Sequence, residues 1–256
     1  MTETALLRED RRGPIAILTM NAPKRRNALS MAMRRLMIGA LDRLESDRDI
    51  RAIVVTGEGG TFSAGGDISD MDATDLAAGR DRFRISHRLV GAMIHNAKPI
   101  IAAVEGWCVG AGMSVALCCD TIVAAADARF MASFGRIGLI ADLGLPHTLP
   151  RRVGEGRARQ ILLYGETFGA EQAERIGLID HVVAPGTALE AALARAALFA
   201  DAAPLPVALT KAFLARGLDE ALALERDYQS ALFGTADHAE GKAAFLGKRK
   251  PAFTGT

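Results

Sequence analysis

The sequence predicts an α/β fold in which strands and helices alternate before a helical C-terminal third. Two apolar runs, Ala52–Thr56 and Pro99–Val104, are predicted to be buried strands, and the second has the composition of a strand that is covered on both faces. Each run leads into a glycine-rich corner, Phe62–Ile68 or Gly106–Gly112, and then into a segment with helical character. Beyond Phe130 the pattern is mostly helical. We therefore expect adjacent strands whose two glycine corners lie at equivalent ends.

The first elements are a hairpin and two amphipathic helices. Strand-like runs near Ala5–Glu9 and Pro14–Met20 predict the hairpin. Ser30 is the expected N-cap of a helix that reaches about Glu45. Its predicted buried face contains Leu36, Met37, Ala40, Leu41 and Leu44. A second helix is predicted over Asp75–Asn96, with a buried side formed by Phe83, Leu89, Val90, Met93 and Ile94.

The later elements begin with a small apolar helix and a third strand. They are predicted at Met113–Cys119 and Asp120–Ala125. A further short strand is expected at Ile179–Val183, and Pro204 and Pro206 mark a break between two helices. The other predicted helices are Leu145–Val153, Gly156–Leu163, Ala170–Ile176, Leu189–Ala202, Pro206–Arg216, Leu218–Phe233 and Ala236–Leu246. We interpret the amphipathic C-terminal third as a packing or subunit-association layer.

Composition excludes several classes of function. The 256 residues suffice for one large domain, or a domain with an appendage, and 31 basic residues nearly balance 30 acidic ones. This balance argues against a nucleic-acid or anionic-membrane surface. Three cysteines and five scattered histidines have no disulfide framework or metal-ligand spacing, so no metal site is expected. Acidic residues near the N-terminus argue against a signal peptide, and we expect a cytoplasmic protein.

The corner Phe62–Ile68 carries the first chemical indication. Its two adjacent glycines allow a sharp turn and a close approach of the backbone to a ligand. N–H groups at the start of a helix lack partners within the helix and can point at an anion or a polarised carbonyl. An ordinary turn would have the same residues. Paired with Gly106–Gly112, however, the corner could aim two donors at one atom.

Five segments, in this order, resemble the crotonase superfamily, the enoyl-CoA hydratase/isomerase family. They are Asn21–Leu29, Phe62–Ile68, Pro99–Gly112, Gly165–Ile179 and Phe245–Phe253. The resemblance implies a crotonase-like spiral of ββα turns in residues 1–195 and a helical trimerisation region in residues 196–256. It also implies a homotrimer or a dimer of trimers.

The resemblance further implies an acyl-CoA thioester as ligand, with coenzyme A carried as part of the substrate and no separate cofactor. The thioester oxygen would bind the N–H groups of Gly66 and Ala111, which can stabilise an enolate. Phe245 and Lys248 match positions that reach coenzyme A from a neighbouring subunit. The full set of implied substrate-binding residues is Lys24, Arg25, Arg26, Ala64, Gly65, Asp67, Ile68, Gly110, Phe134, Phe245 and Lys248.

Some of these residues have simpler explanations. The basic loop Lys24–Arg26 suits the adenine and phosphates of coenzyme A, but it could equally be solvated. Ser69 occupies a position where many relatives carry lysine, which weakens the phosphate assignment. Asp67 could cap the helix that follows. Asp120, at the start of a strand, is interpreted as structural.

The catalytic carboxylates differ from those of the family's hydratases, which use two glutamates. The corresponding residues here are Ser114 and Phe134, and neither has useful acid or base strength near neutral pH. The sequence therefore argues against a standard hydratase.

One carboxylate, Asp142, matches the isomerase branch of the family. The segment Arg136–Gly144 resembles its aspartate loop, although Ala141 stands where proline is usual and Leu145 where glycine is common. Apolar neighbours would raise the pKa of this carboxyl group and make it a better base. A surface-loop aspartate or a helix N-cap is the structural alternative. His147, five residues on, could be a partner of Asp142.

The leading hypothesis is an enoyl-CoA isomerase that uses Asp142 as acid and base. The second is a hydratase-named family member with different chemistry, such as thioester hydrolysis. The third is a non-catalytic acyl-CoA-binding protein. Four arginines, Arg151, Arg152, Arg157 and Arg159, also allow RNA binding, but the net charge of +1 argues against it.

Overall fold

A mostly parallel six-stranded sheet forms the frame of the computed structural model, which describes residues 5–71 and 75–256. The sheet order is β1-β2-β3-β4-β6-β9, with β1 antiparallel to β2 and the other pairs parallel. A smaller sheet has the order β5-β7-β8. The strands are β1 (Leu7–Arg12), β2 (Ile15–Met20), β3 (Ala52–Gly57), β4 (Ile100–Val104), β5 (Trp107–Val109), β6 (Thr121–Ala125), β7 (Arg129–Met131), β8 (Phe168–Gly169) and β9 (His181–Val183).

The helices follow the predicted pattern closely. They are α1 (Met31–Ser46), α2 (Leu76–Ile94), α3 (Ala111–Leu117), α4 (Leu145–Tyr164), α5 (Ala170–Arg175), α6 (Ala188–Ala197), α7 (Pro204–Leu214), α8 (Leu218–Leu232) and α9 (Ala236–Leu246). Ser30 caps α1 as expected, because its hydroxyl accepts a hydrogen bond from the N–H of Met33. The two helices predicted between Leu145 and Leu163 form α4, which bends where Gly154 has non-helical backbone angles.

The central strands are buried on both faces, as their apolar composition predicts. Alternate side chains of β3 enter two different clusters, since successive residues of a strand point to opposite faces. Ile53 and Val55 pack in the larger core with Leu41 of α1, whereas Val54 packs in a second core with Leu193 of α6. The sheet is therefore covered by helices on each side.

Three details of the prediction are wrong. Leu36 is expected on the buried face of α1 but is 47% exposed. The segment Gly106–Gly112 is predicted as a corner alone, yet it contains the short strand β5, and strands β7 and β8 have no counterpart in the prediction. Helix α7 begins at Pro204 rather than at Pro206, because proline is tolerated in the first turn of a helix, whereas the predicted break between two helices is confirmed.

The two glycine corners meet as predicted, because β3 and β4 are adjacent and parallel. Ser63 donates its N–H to the carbonyl of Trp107 at 3.0 Å and accepts from the N–H of Val109 at 2.9 Å. These hydrogen bonds extend the strand pairing into the loops. The backbone of one corner thus runs directly alongside the other.

Asn27 joins its own loop, which follows β2, to the loop that follows β3. Its Oδ1 accepts from the N–H of Ala22 at 2.9 Å, and its Nδ2 donates to the carbonyls of Glu58 and Thr61 at 2.9 and 2.6 Å. The side chain is fully buried. Backbone groups in this position need a partner, because water cannot reach them.

We expect Asn27→Ala to lower the free energy of unfolding by roughly 2–4 kcal/mol, because it leaves several buried backbone groups without a partner. Urea denaturation followed by circular dichroism measures the change. The matched control is Ser46→Ala on the exposed face of α1, for which we expect less than about 0.5 kcal/mol. Equal effects of the two substitutions would contradict the structural role of Asn27.

Candidate active site

A cavity of about 560 Å³ lies where the two glycine corners meet. Its walls come from the loop after β2, both corners, the loop after β7 and the end of α9. Of the predicted site residues, all except Asp142 and Lys248 line it: Lys24, Arg25, Arg26, Ala64, Gly65, Gly66, Asp67, Ile68, Gly110, Ala111, Phe134 and Phe245. The loops therefore assemble one site from residues far apart in the sequence.

The two predicted amide donors lie on facing corners. A Cβ atom on Gly65 would lie 2.9 Å from the carbonyl oxygen of Val109 and 3.6 Å from the nitrogen of Ala111. Ala111 begins α3, so its N–H has no acceptor within the helix. Among the described residues, neither this N–H nor that of Gly66 has a backbone acceptor in a loop or turn. Each of these two N–H groups can therefore donate to a ligand.

Asp67 caps the short 3-10 helix Ile68–Asp70, the capping role that the sequence allowed. Its Oδ1 accepts from the N–H and hydroxyl of Ser69 at 3.1 and 2.6 Å, and its Oδ2 accepts from Arg25 at 2.7 Å. Burial would raise the pKa of Asp67, but these hydrogen bonds outweigh it and lower the pKa below its usual value. Asp67 also orients one of the basic side chains at the cavity mouth.

Arg34, which no sequence motif singled out, lies just behind the first corner. Its Nε donates to the carbonyl of Leu29 at 3.1 Å, and its Nη1 donates to the hydroxyl of Ser86. Its Nη2 is 3.7 Å from the position that a Cβ atom of Gly66 would occupy. Burial lowers the pKa of Arg34 to about 10, so the side chain stays cationic at neutral pH.

Asp142 is buried and belongs to a cluster of charged side chains. Its Oδ1 has no hydrogen-bond partner among the described residues. Burial raises the pKa of Asp142 to about 6, the charge of Glu225 adds to this rise, and Arg34 opposes it. Asp142 is therefore not on the surface of a loop. It is also not the N-cap of α4, because that position is Gly144. The sequence predicted the direction of this pKa shift but not the charged neighbours.

Asp142 is not among the residues that line the cavity. Arg34 connects the two, because its guanidinium contacts the Gly66 corner while its charge acts on Asp142. Arg82 and His87 of α2 are further cationic or titratable neighbours of Asp142. The carboxylate thus lies inside the protein beside these charged groups, rather than in solvent.

The remaining predicted residues have varied positions. Phe134 lines the cavity, and Phe245 lines the cavity of its own chain. Lys248 is exposed, and its predicted contact with a neighbouring subunit stays a prediction. Ser114 is buried in α3, where its hydroxyl donates to the carbonyl of Gly110. His147 lies beside a different, smaller cavity and has a pKa lowered by burial.

Two kinds of feature are absent from the described part of the chain. Residues 5–71 and 75–256 contain no group of three or more His, Cys, Asp or Glu side chains that could hold a metal ion. None of the helices in these ranges has the length and apolar character needed to cross a bilayer.

Comparisons with known proteins agree with the fold. The family described as Enoyl-CoA hydratase/isomerase matches residues 10–256. The 1,2-epoxyphenylacetyl-CoA isomerase of Escherichia coli is 37% identical over 94% of this chain and 95% of its own. The 2,3-dehydroadipyl-CoA hydratase of that organism is 36% identical over 100% of both chains. A crystal structure of an enoyl-CoA hydratase from Mycobacterium avium subsp. paratuberculosis has a TM-score of 0.88 and 29% identity, covering 98% of this chain and 100% of that chain.

We expect Asp142→Asn to stabilise the protein above about pH 6. Because the folded-state pKa of Asp142 is raised from 3.8 to about 6, its stabilising contribution is complete below pH 3.8 and is lost as the pH rises through 6. The neutral amide avoids this loss, which amounts to about 2–3 kcal/mol near pH 8.

Urea denaturation at several pH values tests this expectation. The gain from Asp142→Asn should shrink toward zero as the pH falls toward 4. Asp201→Asn, at an exposed position, is the matched control and should leave the unfolding free energy nearly unchanged at every pH. A variant that is less stable than the wild type near pH 8 would mean that Asp142 is held by stronger contacts.

Proposed function

Because the chain belongs to the enoyl-CoA hydratase/isomerase family, we propose that it moves a double bond within an enoyl-CoA thioester, using Asp142 as both proton acceptor and proton donor. The observation that carries the proposal is the buried Asp142 carboxylate, which has a raised pKa and an oxygen with no hydrogen-bond partner among the described residues. A base of this kind matches the proton transfer that an isomerisation requires.

The two facing amides would activate the thioester. The N–H groups of Gly66 and Ala111 donate to its carbonyl oxygen, which becomes more negative as a proton leaves the adjacent carbon. The buried cation of Arg34 lies next to Gly66 and adds a favourable potential for this negative charge. Removing the proton therefore costs less than it would in water.

A single carboxylate can then complete the reaction. Because Asp142 does not line the cavity, this step requires the acyl end of the substrate to extend beyond the cavity wall to the buried carboxylate. There Asp142 accepts the proton from the carbon next to the thioester, and the remaining electron pair becomes the dienolate. The neutral acid returns the same proton to the carbon two positions further along the chain, and the double bond moves into conjugation. No water is consumed and no second acid is needed, which agrees with Ser114 and Phe134 at the positions of the hydratase glutamates.

The cavity mouth would hold the coenzyme A portion of the substrate. Lys24, Arg25 and Arg26 line it and can pair with phosphate groups. Phe245 offers an apolar surface at the same mouth. The exposed apolar side chains of α7, Leu205, Leu209 and Phe213, support the predicted homotrimer or dimer of trimers.

Hydration of an enoyl-CoA is the second candidate function. The observation that favours it is the relative named 2,3-dehydroadipyl-CoA hydratase, which is nearly as similar as the relative named an isomerase. Hydration needs an acid and a base that hold one water, and Asp142 supplies only one of these groups. Crotonyl-CoA distinguishes the two functions, because its hydration removes the ultraviolet absorbance of the conjugated thioester.

We expect Asp142→Asn to lower kcat for isomerisation of trans-3-hexenoyl-CoA by about 10²–10⁴-fold, since the amide cannot accept the proton. The rise in ultraviolet absorbance as conjugation forms measures the rate. Acyl-CoA binding, measured by calorimetry, should change little. The control Ser114→Ala should keep near-wild-type turnover.

Retained isomerisation by Asp142→Asn would remove the aspartate from the mechanism. Robust hydration of crotonyl-CoA by the wild type would favour the second candidate instead. Binding of acyl-CoA without turnover of any member of an acyl-CoA panel would identify a binding protein.

The pH dependence of kcat/KM should report the titration of Asp142. The carboxylate is the base, and its pKa is raised to about 6. Turnover should therefore be maximal above pH 6 and fall about tenfold for each pH unit below it. A limb centred near pH 4 would indicate a solvated carboxylate and would contradict the buried position of Asp142.

A further inference from the structure

Side chains of helix α8 form hydrogen bonds with the loop that contains Asp142. Two side chains one helical turn apart on α8, Glu225 and Gln229, bind its backbone on either side of Asp142. Both side chains are buried. Any influence of these hydrogen bonds on proton transfer rests on the proposed function of Asp142.

Glu225 binds the two residues that directly follow Asp142. Its Oε1 accepts from the N–H of Leu143 at 2.8 Å, and its Oε2 accepts from the N–H of Gly144 at 2.8 Å. Oε1 also lies 2.9 Å from Nε2 of His87 on α2. Both carboxylate oxygens of Glu225 therefore have hydrogen-bond partners, and the residue is only 3% exposed.

The backbone at Leu143 and Gly144 has an unusual conformation that these hydrogen bonds can stabilise. Leu143 and Gly144 both have positive φ angles, 54° and 74°. Glycine adopts this conformation freely, but a leucine rarely does because its Cβ crowds the backbone. The unusual turn presents two successive N–H groups to one carboxylate, which can hold the turn in place.

Gln229 fixes the other side of the loop. Its Nε2 donates to the carbonyl of Ile140 at 3.0 Å, and its Oε1 accepts from the N–H of Ile140 at 3.1 Å. Asp142 lies between the two anchored points. Its position therefore depends on α8 even though no hydrogen bond joins it to α8 within the described residues.

We propose that Glu225 is a positioning residue for the proton transfer, because it holds the backbone that directs Asp142. A helix in the C-terminal region would thus control the base of a site built mainly by the N-terminal part of the chain. The proposal involves no transfer of a proton to or from Glu225.

The charges around Asp142 predict the direction in which its pKa should move when Glu225 is replaced. Arg34 faces it from α1, Arg82 and His87 from α2, and Glu225 from α8. Burial and Glu225 raise the pKa of Asp142, whereas Arg34, Arg82 and His87 lower it. Removing the charge of Glu225 should therefore make Asp142 a weaker base that ionises at lower pH.

The test compares three substitutions on one helix. Glu225→Gln keeps the shape but removes the charge and one acceptor. Glu225→Asp keeps the charge but shortens the reach to the two N–H groups. Glu220→Gln is the matched control, since it removes a negative charge from an exposed position of α8. Circular dichroism melting checks that each variant folds.

Infrared difference spectroscopy can follow Asp142 without any turnover. The carbonyl stretch of its protonated form is identified by its loss in Asp142→Asn, and its pH titration is then recorded in each variant. We expect Glu225→Gln to shift this titration to lower pH, and Glu220→Gln to leave it unchanged. Glu225→Asp should retain a titration close to that of the wild type, because the charge stays.

Kinetics with trans-3-hexenoyl-CoA test the positioning part. Glu225→Gln and Glu225→Asp should lower kcat by about 10- to 100-fold with little change in KM, because small displacements of a catalytic group are costly. The acid limb of kcat/KM should move to lower pH only in Glu225→Gln. If Glu225 had only a structural role, its substitution would lower the stability and the fraction of active enzyme but would not shift the acid limb of kcat/KM.

The outcomes separate this proposal from the proposed function. An unchanged infrared titration and an unchanged pH limb in folded Glu225→Gln would overturn the role of Glu225. A shifted infrared titration in a protein that fails to isomerise any enoyl-CoA would support the coupling between Glu225 and Asp142 while rejecting the isomerase function. If Glu225→Gln does not fold, full activity in Glu225→Asp would overturn the positioning role.

Discussion

The close approach of two glycine corners is the constraint on which the site depends. A Cβ atom on Gly112 would lie 2.7 Å from both the Cβ and the carbonyl oxygen of Ser63, a distance that real side chains do not tolerate. Gly65 is similarly restricted by the carbonyl of Val109. Because the neighbouring strands β3 and β4 end side by side, their loops can approach this closely only where no side chain intervenes. The spacing of two amides is therefore fixed by the backbone, and a substitution acts through geometry rather than through lost side-chain chemistry.

The polar cluster behind these corners is costly for the fold. Arg34, Asp142 and Glu225 are all buried, and moving charges out of water has a large penalty unless they are paired and hydrogen-bonded. Arg34 and Glu225 meet this need with backbone and side-chain hydrogen bonds, whereas Asp142 has a buried oxygen with no partner in the described part of the chain. Of these three described side chains, the one with an unmet hydrogen bond is the one proposed to exchange a proton. Burial of the Asp142 carboxylate lowers the stability of the folded protein, and the same burial makes the carboxylate a stronger base.

Much of the fold was predictable because it depends on local patterns. The runs that became β3 and β4 are continuously apolar, as strands covered on both faces must be, and Ser30 marked the start of α1. The strands β5, β7 and β8 contain only two or three residues, so they carry too little periodicity to be recognised. Their strand character comes from pairing with distant segments. Leu36 was misplaced because an apolar residue at the edge of a helix stripe can face solvent at little cost.

The site was predictable only in part, for a related reason. The glycine corners have a local signature, and Asp142 was found through resemblance to a family. Glu225 was missed because charged residues on a helix are usually exposed. Its spacing nevertheless carried information: Leu218, Leu222, Glu225 and Gln229 recur at intervals of four, three and four, and all four are buried on one face of α8. A carboxylate and an amide on an otherwise apolar stripe require buried partners, and a loop with strained backbone is one place where such partners exist. Polar residues at core positions of a helix therefore indicate where a distant loop is held.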